Sequence, residues 1–450
     1  MAVEPVASAE PGPARGPHRG SGHAHGHGQS QHQSQHQSTG PASQRGMRRQ
    51  NLALVMGSVA AHGPLSRAEV AERTGLTRAA VGSLAAELAA ARLITDHGIA
   101  PSGRVGRPGA MLAVSGTGPA GLGLEVGVGH LAACLVDLRG ETRAYLRCQT
   151  DNRGRDPGTV LGELARVAGR VAHEGAAEGL RAVGAVLAVP GLVADQSRRV
   201  DNISGAAGPG LVERAPNLHW HKAPAAALLQ DRFPAPLRGI PLRVDNEANL
   251  GALAELWDGT SVGAGDFVHV SAEAGIGAAI VVGGRLLRGV HGFAGELGHV
   301  PVQPDGPRCA CGARGCLEQY AGEEAVLRAA GWPSGPGDPV EVLAERAEIT
   351  DARVCAALEQ AGGALGTALA GAVNLLDPTA VILGGAYADL GTWLLPAMRR
   401  ELAARVTVRP WSADALVVSR LGRRGPLLGA AMSTVRQIIE DPWLFARSVG

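Results

Sequence analysis

Three of the chain's six cysteines fall within one short stretch, Cys309-Ala310-Cys311-Gly312-Ala313-Arg314-Gly315-Cys316, soon after Gly298-His299. One imidazole (His299) and three thiolates (Cys309, Cys311, Cys316) can close a tetrahedral zinc site. The glycines between them let the chain turn tightly around an ion. Four protein ligands leave no open position for a reactive water, so such a metal would be structural. The alternative is a set of reduced thiols without metal. Cys134, Cys148 and Cys355 stand alone and read as buried thiols. Six cysteines in 450 residues are too sparse for a disulfide framework.

A second constellation lies near the N-terminus. Ser66-Arg67-Ala68-Glu69 is a capping box, and Leu65 and Val70 can staple its ends. That helix stops at Gly75, where a left-handed residue permits a tight turn. Thr77 caps the next helix, whose buried stripe is Val81, Leu84 and Leu88. Arg78, Ala79, Gly82 and Ser83 are left on its outer, N-terminal part. This is the layout of a helix-turn-helix whose second helix enters the major groove. Arg67, Thr77, Arg78 and Ser83 are the candidate DNA contacts. Arg45, Arg48, Arg49 and Arg73 add the local positive charge that phosphates attract. The alternative is a helical hairpin that only packs on the rest of the chain. Ser102-Gly103-Arg104-Val105-Gly106-Arg107-Pro108 reads either as a wing that sets Arg104 and Arg107 in a minor groove or as a basic linker.

The elements around these groups follow from composition and period. The chain is 45% hydrophobic, enough for real cores, yet only 3% aromatic, so small side chains must fill much of the interior. Its net charge of +1 makes any nucleic-acid surface local. No long apolar run and no apolar signal core stand out, which predicts a cytoplasmic protein without a membrane partner. Residues 1–45, rich in Gln, Ser, His and Gly, read as a disordered, solvated tail. Residues 46–98 read as the DNA-binding domain: Met47 to Ala61 has helical period, and Leu65 to Ile94 reads as two further helices. Residues 99–117 form the wing or linker. From 118 to 450 strands and helices alternate, as in an α/β architecture. Strands are expected from Gly121, Ala132, Val183, Leu242, Phe267, Ala278 and Ala380. Helices are expected over Gly158–His173, Leu250–Asp258, Val354–Leu376 and Leu427–Ile439.

The stretch Gly289 to Tyr320 contains Gly295-Glu296-Leu297-Gly298-His299 and then Cys309-x-Cys311-Gly312-x-x-Gly315-Cys316-Leu317-Glu318. It resembles the signature of the ROK family of repressors, open reading frames and kinases. Ala215-Pro216-Asn217-Leu218-x-Trp220, Asp245-Asn246-Glu247-Ala248-Asn249 and Asn374-Leu375-Leu376-Asp377-Pro378 match as well. The helix-turn-helix is what the repressor branch carries and the kinase branch lacks. The resemblance implies an actin-like, ribonuclease-H-like fold in two lobes, with the final helix packing back on the first. It further implies a sugar in the cleft, operator DNA as partner, and a homodimer or homotetramer. By position, Asn217, Asn246, Glu247, Glu296, His299 and Glu318 become the sugar-binding residues. Carboxylates suit that task because each can accept two hydroxyl hydrogen bonds.

The same resemblance exposes departures from kinase chemistry. The general base of family kinases is an Asp, and the matching residue here is Glu247, one methylene longer. The first phosphate loop reads Glu125-Val126-Gly127-Val128-Gly129-His130, with Glu for Asp and no Thr. The second reads Ser271-Ala272-Glu273-Ala274-Gly275, and Glu273 puts negative charge where phosphate would sit. Leu383-Gly384-Gly385-Ala386, the adenosine stretch, is retained. Phosphotransfer and ATP binding are therefore expected to be lost, leaving a sugar-responsive regulator that represses carbohydrate-related genes. The stretch Val193 to Arg214 is longer than a loop over a sugar requires, which leaves the ligand open.

Overall fold

The computed structural model describes residues 44–99, 110–194, 210–258, 265–332 and 338–446. Residues 1–43 of the tail, together with Arg104 and Arg107, lie outside the described residues.

Helix α1 (Gln44–His62) buries Leu52, Val55, Met56 and Val59 along one face. Strand β1 (Leu65–Ser66) leads into α2 (Arg67–Thr74) and α3 (Arg78–Ala90). The Ser66 hydroxyl accepts from the Glu69 amide, and the Glu69 carboxylate accepts from the Ser66 amide at 2.7 Å, closing the capping box. Gly75 ends α2 at φ 71°, and the Thr77 hydroxyl accepts from the Ala80 amide to start α3. Strands β2 (Ile94–Ile99) and β3 (Ala110–Val114) form an antiparallel hairpin, with β1 on the other edge of β3. Two expectations are corrected here. Leu65 and Ile94, read as helical, are strand residues, and the hairpin straddles the boundary placed at 98. The reason is burial: Leu65 and Ile94 close the helical core through strand pairing, Leu65 opposite Leu112.

The first lobe holds β4 (Gly118–Val126), β5 (His130–Val136), β6 (Thr142–Gln149), α4 (Pro157–Ala177) and β7 (Leu180–Val189). A small sheet of β8 (Leu192–Val193), β9 (Val212–Ala215) and β10 (Trp220–Ala223) follows, then α5 (Ala225–Gln230) and β11 (Leu242–Asn246). Its main sheet runs β11-β7-β4-β5-β6. Helix α6 (Glu247–Asp258) crosses to the second lobe, made of β12 (Phe267–Ala272), β13 (Ile276–Val282), β14 (Arg285–Leu286), α7 (Glu318–Ala321), α8 (Glu323–Ala329) and α9 (Pro339–Glu348). Then come α10 (Ala352–Leu376), β15 (Ala380–Gly385), α11 (Ala386–Asp389), α12 (Gly391–Arg405) and β16 (Leu416–Val418), with sheet order β14-β13-β12-β15-β16. This is the actin-like two-lobed α/β fold.

The chain ends with α13 (Gly425–Glu440) and α14 (Trp443–Ala446). Helix α13 returns to the first lobe and touches backbone where glycines allow it. A methyl on Gly121 would lie 2.2 Å from the Ala431 carbonyl oxygen, and one on Gly123 2.3 Å from that of Leu427. The same stripe of α13, with Leu427, Ala431, Val435 and Ile438, shares a core with Leu52, Val55 and Leu88 of the N-terminal helices. Arg49 pairs with Asp441 and Arg45 stacks 5.8 Å over Trp443, while Arg48 pairs with Glu87. Charge expected to face phosphates is thus partly engaged inside the chain.

Gly123→Ala is expected to destabilise by about 1–3 kcal/mol, the usual cost of overpacking. Gly371→Ala, where a methyl meets nothing within 4 Å, should be neutral or stabilising. Urea midpoints of the two variants check this; equal midpoints would refute the close-approach account.

Candidate functional site

The crevice between the lobes contains a cavity of about 120 Å³. Asn217, Asn246, Glu247, Glu296, His299 and Glu318 all line it. Asn217 comes from a turn between β9 and β10, and Asn246 and Glu247 from the β11–α6 junction. Glu296 and His299 flank a short 3-10 turn, and Glu318 opens α7. Residues scattered over a hundred positions therefore face one small space.

Two of these groups, Asn246 and Glu318, are held by backbone. The Asn246 side-chain oxygen accepts from the amides of Ala248 (2.8 Å) and Asn249 (3.2 Å), capping α6. Its amide nitrogen donates to the Gly191 carbonyl at 2.9 Å, which leaves one N–H for a ligand. One Glu318 oxygen accepts from the Ile276 amide at 3.2 Å. Gly275 makes the convergence possible: a methyl there would lie 2.6 Å from Glu318 Oε2 and 2.8 Å from Asn217 Nδ2. Burial pushes the Glu247 carboxyl up to about 8, with Glu273 and Glu125 adding repulsion. Burial also raises Glu296, against the pull of His299 and with the push of Glu318.

The metal-type cluster forms one wall. The ligand atoms of His299, Cys309, Cys311 and Cys316 all lie within 4.8 Å of one another. Cys311 Sγ and Cys316 Sγ are 3.7 Å apart, close to the edge of a tetrahedron built on ~2.3 Å zinc–sulfur bonds. His299 turns Nδ1 toward Cys309 Sγ (3.8 Å) and Nε2 toward Glu296 (3.8 Å), so its two nitrogens face the cluster and the cavity separately. This donor set fits zinc. Arg214, which sequence reasoning had not singled out, reaches across the crevice from β9 to donate to the Ala310 carbonyl at 3.2 Å.

The nucleotide side is differently furnished. His130 lies against Gly127, where a methyl would meet its ring at 2.3 Å, and its Nε2 is 3.5 Å from buried Glu125. Glu273 meets Arg423 at 3.3 Å, and Arg423 also pairs with Asp338. Burial raises Glu273, only partly offset by Arg423, and raises Glu323 to about 7 with Glu273 adding repulsion. The glycines of the adenosine stretch have local duties: a methyl on Gly384 would sit 2.4 Å from His269 Nε2, and one on Gly385 2.3 Å from the Ala272 carbonyl oxygen. Arg423 and Asp338 carried no sequence signal, since neither lies in a motif.

At the N-terminal module, Thr77, Arg78 and Ser83 are exposed on α3. The Thr77 oxygen serves the helix cap, and Arg67 reaches Asp96 of β2 at 3.4 Å. A methyl on Gly82 would meet nothing within 4 Å, so that surface is open to close approach.

Known proteins resemble the chain along most of its length. The xylose repressor of Bacillus spizizenii is 27% identical over 403 residues, spanning 89% of this chain and 98% of its own. The glucokinase of Streptomyces coelicolor is 28% identical over 330 residues, spanning 69% of this chain and 96% of its own. A crystal structure of a ROK family transcriptional regulator, described as a homologue of the E. coli MLC protein, superimposes with a TM-score of 0.70 at 26% identity, covering 90% of this chain and 99% of that one. The sequence model of the ROK family matches residues 121–437, and the chain belongs to that family.

Proposed function

We propose that the chain is a transcriptional regulator that binds operator DNA through its winged helix-turn-helix and responds to a sugar or sugar derivative held between its lobes. The reading includes a structural zinc on His299, Cys309, Cys311 and Cys316, a homo-oligomeric state, action in the cytoplasm, and no phosphotransfer. One observation carries it: six polar side chains converge on one cavity, while Glu273 on the other side of the crevice is engaged by Arg423, which also holds Asp338. The full-length likeness to a xylose repressor supports it.

Zinc, when bound, supplies no open coordination position here and acts as a fixed charge and a clamp. The chain's own residues do the rest. Glu296, Glu318 and Asn217 accept from or donate to hydroxyls, and Gly275 keeps them close. Glu247, raised to about 8, is largely protonated at neutral pH. A protonated carboxyl can donate a hydrogen bond to a sugar oxygen but cannot take its proton.

The test begins with a duplex selected from random DNA and titrated with the protein, with and without a panel of hexoses, pentoses and N-acetylhexosamines. One sugar should shift DNA affinity, Glu296→Ala should abolish that shift, and Arg78→Ala should weaken DNA binding itself. ATP consumption should stay at background. A sugar-dependent turnover of ATP would revive the kinase reading, and indifference to every sugar would move control to a protein partner.

Metal removal gives a second test. One equivalent of zinc per chain is expected, and Cys309→Ser should lose it and weaken sugar binding together. Full sugar affinity in metal-free protein would remove the clamp from the account.

Glu247 gives a third. Its folded pKa lies above the ordinary carboxyl value, so between about 4.5 and 8 the folded state binds more protons than the unfolded. Its contribution to stability is complete below that window and lost as pH rises through 8. Glu247→Gln should flatten the fall in melting temperature between pH 6 and 9; an unchanged slope would reject this assignment.

A further inference from the structure

A second cavity, of about 460 Å³, opens on the other side of the β11–α6 junction. It is bounded by β11, α6 and α13 and is of the size that small-molecule sites take. Its polarity is the reverse of the sugar cavity's. Arg243, Arg288 and Arg436 line it, against two carboxylates, Asp245 and Glu440.

The carboxylate nearest the floor is already committed. Asp245 takes both nitrogens of Arg288, at 3.0 and 2.6 Å, and also accepts from the Asn249 side chain (3.1 Å) and the Asn246 amide (2.8 Å). Arg243 stands two residues before it on β11, on the same face of the strand. Its guanidinium has no hydrogen-bond or ion-pair partner among the described residues. Arg243 is exposed as a residue, so an anion can reach its guanidinium from solvent. Arg436 stacks 5.8 Å over Trp257 and forms no ion pair among the described residues. Glu440, one turn further along α13, is exposed. The Ser433 hydroxyl donates to the Gly429 carbonyl, so it offers the cavity an acceptor only.

We infer that this cavity is a site for a small phosphate monoester, held by the forks of Arg243 and Arg436 and backed by the Arg288–Asp245 pair. Two guanidiniums without a carboxylate partner face one cavity, and the planar fork matches phosphate oxygens two at a time. A neutral sugar would leave their charge without a counter-charge. The site is placed to matter. Asp245 immediately precedes Asn246 and Glu247 of the sugar cavity. The face of α13 behind Arg436 carries Val435 and Ile438 into the core shared with α1 and α3. An anion bridging β11 and α13 therefore bears on both the crevice and the DNA-reading helices. The inference does not rest on the sugar reading.

Calorimetric titration of the full chain with inorganic phosphate, and then with glucose 6-phosphate against glucose, tests it at ionic strength held constant with KCl. Phosphate binding should saturate, weaken at least tenfold in Arg243→Gln and in Arg436→Gln, and persist in Glu296→Gln. Arg243→Lys, which keeps charge but loses the fork, should fall between. Melting curves without phosphate establish that each variant is folded. Heats no larger than those of matched KCl would overturn the site. So would binding that Glu296→Gln removes and Arg243→Gln spares, since the anion would then occupy the sugar cavity.

Discussion

Helix α13 lies where it does only because glycines meet it on both sides. Gly121 and Gly123 of β4 bring the strand against its carbonyls, and its own Gly429 would clash, with any methyl, 1.9 Å from the Leu250 carbonyl oxygen of α6. Contact at this range gains dispersion along the whole crossing and excludes water, and a single added carbon forces the elements apart. Much else follows from it. The helix starts beside Arg423, which is tied to Glu273 and Asp338 of the second lobe. It ends at Asp441, which pairs with Arg49 of α1. One element thus connects the second lobe, the sheet of the first and the N-terminal helices.

What the sequence made legible was local or periodic. The capping box at Ser66, the Gly75 turn and the Thr77 cap are bonds between residues three or four apart, so the text shows them directly. The Cys/His cluster was legible because its ligands lie within one loop. The inner strands of the two sheets and β11 were legible as apolar runs, whereas the edge strands β6, β14 and β16 were not. The hairpin over 94–114 was not, because its strands are short and its pairing partner β1 is only two residues long. Helix α12 was missed because Pro396 interrupts a pattern with little amphipathic contrast. The pairings of Arg214, Arg288 and Arg423 had no signal at all. Each is one basic residue among 42, matched to a partner far away in sequence, and only the fold selects it.

The two halves of the crevice differ in how their charge is balanced. Around the inter-lobe cavity, carboxylates face a small polar space that Arg214 also lines. On the nucleotide side, burial raises the Glu273 carboxyl, with Glu125 adding repulsion against the pull of Arg423. A triphosphate entering there meets like charge at short range, where screening by water is weakest. The nearby guanidinium of Arg423 could compensate only by leaving Glu273 and Asp338. Breaking a partly buried ion pair leaves its carboxylates uncompensated, which typically costs several kcal/mol. Nucleotide affinity has to be won against that term.

The same network has a consequence for motion. Because Arg423 joins the β12–β13 turn to the start of α13, the second lobe cannot shift against the first without either carrying α13 along or breaking those pairs. If it carries α13, Asp441 and the Val435–Ile438 face move with it, and so do α1 and α3 packed against them. A ligand biases such an equilibrium only by the difference in its affinity for the two arrangements. Groups contributed by both lobes are what create that difference. Asn217, Asn246 and Glu247 come from the first lobe and its junction, while Glu296, His299 and Glu318 come from the second. A molecule that satisfies all six is bound well in one lobe spacing and poorly in any other. The Arg423 pairs and the two-lobed polar cavity are therefore parts of one linkage: the ion pairs at Glu273 and Asp338 are the same bonds that connect lobe spacing, through α13, to the N-terminal helices.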